Sequence, residues 1–242
     1  MVLFFVRCHP QPEVEVEFND WHLPHMARLA SVDGYDSVHR YRTLGDGPKY
    51  LGLYEVQDDK LHEALGGDLD ARHPNTYIDG PKYDNEILPH VDHFEYSFYL
   101  ARDGREGDVV GDGPVAVFLA DPDEGERPAF IERLVSEVAP ELERDPRVVS
   151  TSVREALHDP QVPPLGFSPT PSVLMLIQFA DVDGARSFVA DPPAALAEEG
   201  AELTAYGLVA QLFPMPREEL FRPEAGEKAK QEILAAIAAA GA

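Results

Sequence analysis

SVLMLIQFA, residues 172–180, is the stretch from which the fold can be read. Apart from Ser172 at its start, Gln178 is its one polar residue. A strand sends successive side chains to opposite faces, so a strand this apolar needs cover on both. Helices laid on one face of a sheet satisfy half of that demand. The other half requires a second apolar layer.

Working outward, the second half reads as a strand PVAVFLA (114–120), a helix PAFIERLVSEVAPELERD (128–145) opened by Pro128, and a strand VVSTSVREAL (148–157). Then come SVLMLIQFA, a short helix in GARSFVADPPAAL (184–196) and a strand LTAYGLVAQLF (203–213). The first half has the same order: strand VLFFVR (2–7), a helix over about 15–32, and strands YDSVHRYRTL (35–44) and KYLGLYEV (49–56) split by the turn GDGP. A helix candidate at 58–72 and a strand VDHFEYSFYL (91–100) complete it. Each half reads β-α-β-β-α-β, the ferredoxin-like plan. The expected fold is α+β: two ferredoxin-like repeats whose antiparallel sheets pack face to face as an α/β barrel within one chain. Residues 1–104 form the first repeat, with the candidate active site. Residues 105–113 are a glycine- and charge-rich linker, 114–216 the second repeat, mainly scaffold, and 217–242 a helical tail.

The stretch EFNDWHLPHMARLASVDGYDSVHRYR (17–42) carries a resemblance. Its F-N-D-W helix start, the histidine four residues after the tryptophan, the glycine nine further on, and PKYLGLYEV (48–56) resemble the dimeric α/β-barrel superfamily, EthD-like branch. Relatives of that type pair two single-repeat subunits, and this chain looks like a fused pair. The resemblance falls on His25, although a His-Leu-Pro tripeptide in some relatives would select His22 instead. It implies a cofactor-independent enzyme of lyase, isomerase or cyclase type, acting on a small aromatic, lactone or polyketide-like metabolite. An oxidative enzyme on the same barrel (a cofactor-free monooxygenase or a haem protein) and a non-catalytic ligand-binding or stress-associated barrel are the alternatives. Haem-binding relatives are also fused pairs, but the second half shows no clear proximal-histidine signature.

Composition limits the partners. Forty-four acids against 20 bases give a net charge of -24, which repels phosphate backbones and anionic lipid. A small-molecule substrate is expected, with neither nucleic acid nor membrane, and with a homodimer of the fused barrel as the further partner. No apolar run is long enough to span a bilayer. The single cysteine, Cys8, fits a reducing cytoplasm in a bacterial chain.

Eight of the nine histidines lie in the first half, which suggests that one repeat kept a site. At 100° per residue Phe18, His22, His25, Leu29 and Val32 share a helical stripe, with Trp21 on its edge. That stripe faces the sheet, and buried imidazoles need partners. The expected catalytic set is His25 as acid/base with His22, His39, Tyr54 and His93. The expected substrate contacts are Trp21, Tyr41, Glu95 and Tyr99, together with Tyr77, Tyr83 and His90 from the long irregular segment 73–90. Asn19 and Asp20 are expected to cap the helix, and Arg40 to point to solvent. No organic cofactor and no metal are expected: the chain lacks a HExxH motif, paired cysteines, a phosphate loop and G-x-S-x-G.

Overall fold

A computed structural model describes residues 1–30, 32–64, 87–104, 111–157, 168–169, 171–197 and 200–212. Its strands are β1 (Val2–Pro10), β2 (Tyr35–Thr43), β3 (Tyr50–Val56), β4 (Val91–Ala101), β5 (Val115–Ala120), β6 (Val148–Ala156), β7 (Ser168–Pro169), β8 (Val173–Phe179) and β9 (Glu202–Leu212). The order β1-β3-β2-β9-β5-β8-β6-β4 returns to β1 through the β1–β4 pairing. Eight antiparallel strands therefore close a barrel, and the two-residue β7 pairs in parallel with Glu95 and Tyr96 of β4. Within each half the spatial order is fourth, first, third and second strand. The two four-strand groups face each other across the lumen, and they also join edge to edge through β2–β9 and β4–β6. Closure removes the exposed edges that an open sheet would carry.

The helices lie outside. α1 (Glu15–Leu29) follows a single 3-10 turn, Pro12–Val14, and has Glu15 and Glu17 in its first turn, where the helix dipole favours negative charge. It runs through Pro24. Gly34, at φ 102, makes the turn back into β2; a Cβ there would come within 2.9 Å of the Lys60 Cβ. α2 (Leu61–Ala64) follows β3. In the second half α3 (Arg127–Arg133) continues through a π segment, Leu134–Val138, into α4 (Ala139–Leu142). α5 (Val182–Ala190) is capped by Asp181, whose side chain accepts from the Gly184 amide at 2.7 Å. None of the described helices is long and apolar enough to cross a membrane.

SVLMLIQFA serves both layers as its composition demands. Val173, Met175, Ile177 and Phe179 pack under the second-half helices with Leu134, Leu142 and Phe188. Leu174 and Leu176 face the lumen with Leu3, Phe5, Leu51, Leu53, Val115, Val117 and Leu119. Fully burying each such side chain contributes about 1.5–3 kcal/mol.

One charged cluster crosses the lumen between the halves. Arg7, 1% exposed, is directly opposite Glu95 on β4. Its Nη2 donates to Glu95 Oε2 at 2.6 Å and to Glu202 Oε2 at 3.0 Å, and its Nη1 pairs with Glu202 Oε1. Glu95 and Glu202 occupy matching places in the two halves, since Arg7 pairs with Glu95 and Leu119 with Glu202. One arginine thus answers a carboxylate from each. Arg7→Leu leaves two carboxylates facing each other without the arginine that bridges them. Partial exposure of Glu202 screens some of the cost, so the expected loss is about 2–3 kcal/mol, read from the urea midpoint.

Candidate functional site

The ground beneath α1 is built by β1, β2 and β3. Pairing of Arg40 with Gly52 and of Val6 with Gly52 places Arg40, Gly52 and Val6 in one row on the face covered by the helix. Cys8, Tyr50 and Tyr54 share that face. The helix contributes Phe18, Asn19 and His22, with Trp21 and His25 at the half-exposed margin.

Arg40 is the centre of this cluster. It is 0% exposed, against the expectation that it would point to solvent. The correction follows from register: β2 pairs with β9 on its other side and is no edge, so Arg40 sits inside a closed wall under α1. Its guanidinium lies 4.3 Å over the Tyr50 ring and 5.8 Å from the Phe18 ring centroid. Nη2 donates to Asn19 Oδ1, whereas Nε and Nη1 have no hydrogen-bond partner. Asn19 is therefore no cap. It lies a full turn inside α1, and its Nδ2 donates to Tyr50 Oη at 3.2 Å. Tyr50 in turn donates to Glu15 Oε1 at 2.6 Å, and Lys49 pairs with Glu15 Oε2. A connected relay runs from the part-exposed Lys49–Glu15 pair to the buried arginine. Burial pushes the Tyr50 hydroxyl up to about 12, helped by its bond to Glu15. Burial also raises Glu15, but the bonds from Lys49 and Tyr50 outweigh it and hold the carboxyl below its ordinary value.

His22 stacks on Phe18 with centroids 5.2 Å apart and planes 15° from parallel. Its Nε2 is 3.5 Å from Tyr54 Oη, and its buried Nδ1 has no partner. Burial, then the Arg40 charge, then His25 lower its pKa well below 6.5, so the ring is neutral at pH 7. Burial alone keeps Cys8 protonated, its thiol pushed up to about 12 despite Arg40. His25 stacks on Trp21 at 4.8 Å, with the His22 ring 6.1 Å away.

Tyr54 depends on a missing side chain. A Cβ on Gly52 would stand 2.8 Å from Tyr54 Cε2 and 2.9 Å from its Oη. The ring lies flat over the glycine. Gly52→Ala is expected to displace Tyr54 from His22 and destabilise the protein by about 1–3 kcal/mol, seen as a lower Tm.

The structure divides the residues that the sequence groups together. His22, His25, Trp21 and Tyr54 gather under α1. His39 and Tyr41 pair with Leu53 and Leu51 and so face the lumen, on the far side of the sheet. His93, Glu95 and Tyr99 pair with His9, Arg7 and Leu3 and also take the lumen face. His93 is half exposed and pairs with Glu95 Oε1 at 2.7 Å, and Tyr99 donates to the Pro171 carbonyl at 2.6 Å. His90 is exposed, in a 3-10 turn at the start of β4. Tyr77, Tyr83, His158, most of the linker and the tail lie outside the described residues. The residues that sequence reasoning passed over as site candidates are Arg40, Asn19 and Tyr50. Parity was the available signal: Tyr50 and Tyr54 share a face with whichever β2 residue pairs with Gly52. No group of three metal-binding side chains occurs among the described residues.

No protein-family model matches the chain, and no curated protein does. Solved structures do. An anthrone oxidase-like protein is 12% identical, with 89% of this chain and 95% of that one covered and a TM-score of 0.55. A candidate monooxygenase from Fusobacterium nucleatum subsp. nucleatum is 10% identical, with 88% and 94% covered and a TM-score of 0.54. At such identities the likeness is one of fold, here an α+β fold with an eight-stranded antiparallel barrel closed within a single chain.

Proposed function

We propose that this chain is an enzyme that takes a proton from a small, aromatic or enolisable oxygenated metabolite at the polar cluster beneath α1. His22 Nδ1 receives the proton and Arg40 holds the oxyanion that forms. The observation that carries this reading is Arg40 itself. A fully buried guanidinium with two nitrogens unanswered by protein is costly unless an acceptor arrives. A phenolate or enolate oxygen is such an acceptor. A neutral imidazole beside it is the form that can take the proton. Tyr54 orients His22, while His25 and Trp21 line the margin.

The names of the two similar structures favour an oxidative outcome over the lyase or isomerase outcome that the sequence resemblance implies. In that outcome the substrate carbanion reacts with dioxygen. An activated CH2 becomes C=O; one oxygen atom enters the product, and the other leaves as water with the two hydrogens. Oxygen uptake with a panel of anthrone-like phenolic ketones, with labelled dioxygen appearing in the product, tests it. Deuterium exchange into substrate without oxygen uptake would instead establish the isomerase-type outcome, with the same two residues in the same roles. Neither uptake nor exchange across the panel would remove the proposal.

A haem reading gains nothing from the described second half. Its layer under α3–α5 is filled by aliphatic and phenylalanine side chains, and no described residue there is a histidine. The absence of a Soret band after haem addition would agree with this.

We also read 1–104 and 114–216 as two ferredoxin-like repeats, the first carrying the site. The common strand order supports this, as does a matching offset. Tyr41 pairs with Leu208, six residues from Glu202, and Arg154 pairs with Ala101, six residues from Glu95. Association of two such barrels is a further proposal, which sedimentation equilibrium decides.

A further inference from the structure

The structure assigns a second binding site, for a small planar monoanion of the carboxylate type, inside the barrel lumen at Arg154. It is separate from the cluster beneath α1, on the opposite face of the sheet.

Arg154 is 0% exposed and pairs with Leu174 on β8, so it shares the lumen face with that residue. Its Nε donates to Ser152 Oγ at 3.2 Å, which fixes the plane of the guanidinium. Nη1 and Nη2 have no hydrogen-bond partner. Arg7 shows what a lumen arginine looks like when protein answers its charge: four hydrogen bonds to two carboxylates. Arg154 has no such pair. The Glu55, Asp103 and Asp58 carboxylates lie within electrostatic reach, but neither Nη is hydrogen-bonded to them; a Glu55 carboxylate oxygen accepts from Ser37 Oγ at 2.5 Å.

A third donor faces the same space. Tyr41 corresponds to Arg154 in the other half, since Tyr41 pairs with Leu51 and Arg154 with Leu174, whose partners Arg7 and Leu119 correspond in turn. The Tyr41 hydroxyl is buried and has no partner, and the Glu55 charge reaches it as well. Two arginine N–H groups in fork geometry on β6 and a phenolic O–H on β2 thus lie on the lumen face without a hydrogen-bond partner. A two-oxygen anion matches the fork. An anion that binds Arg154 only in the folded chain raises stability by mass action.

The probe is sodium formate, titrated against sodium chloride at equal ionic strength while Tm is followed. The wild type is expected to gain about 3 °C or more once formate exceeds its Kd tenfold. Arg40→Met should keep that gain and Arg154→Met should lose it, which separates this site from the one beneath α1. No formate-specific gain in the wild type, or an equal gain in Arg154→Met, overturns the proposal and leaves the donors to ordered water. Should Arg154→Met fail to fold, wild-type crystals soaked in bromide decide: an anomalous peak beside the Arg154 Nη atoms supports the site, and its absence overturns it.

Discussion

Arg40→Met is expected to lower kcat/KM by about 10³-fold while leaving the protein as stable as before, or more so. The two effects have one cause. Arg40 is buried with Nε and Nη1 unanswered, so the folded state bears a desolvation cost that a methionine of similar length does not. Burial also pulls its pKa down from the ordinary guanidinium value, yet a guanidinium remains charged at any working pH. The charge is retained at the expense of stability, which is the signature of a group kept for a ligand. Asn19 Oδ1 loses a donor in the variant, and this offsets part of the gain. Arg40→Lys should recover little activity, because an ammonium can neither lie flat over Tyr50 nor offer a fork. Kinetics on the substrate found by the oxygen-uptake panel, with a urea melt of each variant, check both halves. A marked loss of stability in Arg40→Met at unchanged kcat/KM would make Arg40 a structural residue.

His22→Asn is expected to lower kcat/KM by about 10²–10⁴-fold, the range of a lost general base. Its pH behaviour is the sharper test. The folded pKa of His22 lies well below 6.5, so the neutral, proton-accepting form persists as pH falls through 6.5. The acid limb of kcat/KM should therefore appear below the pH at which an ordinary histidine titrates. The same shift governs stability. Between the folded pKa and 6.5 the unfolded chain binds a proton that the native chain refuses. Stability from this group is full above 6.5 and declines as pH falls below it. His22→Phe keeps the stack on Phe18 but cannot titrate. Its unfolding free energy should be flatter than the parent's between about pH 6.5 and 5, before carboxylates such as Glu15 begin to protonate. An acid limb at 6.5 in the wild type would place the base elsewhere, with His25 the next residue to replace.

The amount legible in the sequence differed from one residue to the next. The two-sided apolarity of residues 172–180 demanded two layers, and the structure supplies them as a helical cover and a barrel lumen. The stripe on α1 placed His22 against the sheet, because a helix fixes which residues share a face from spacing alone. Tyr50 and Tyr54 share a face of β3 for the same kind of reason, the two-residue period of a strand. The choice between the two faces of β2 was not legible. His39, Arg40 and Tyr41 alternate, and nothing local says which parity meets the helix. A shift of one residue exchanges the set. Pairing with Gly52 on one side and Ala210 on the other decided it in favour of Arg40.

What the sequence determined by itself was the periodic part: the strands and helices among the described residues, their order, and the need for cover on both faces of the strands. These follow from spacing along a chain and from the insolubility of apolar side chains. What only the tertiary structure decided was which polar groups end up without water. A guanidinium's solvation depends on walls contributed by strands distant in sequence, and no window of residues around Arg40 or Arg154 contains them.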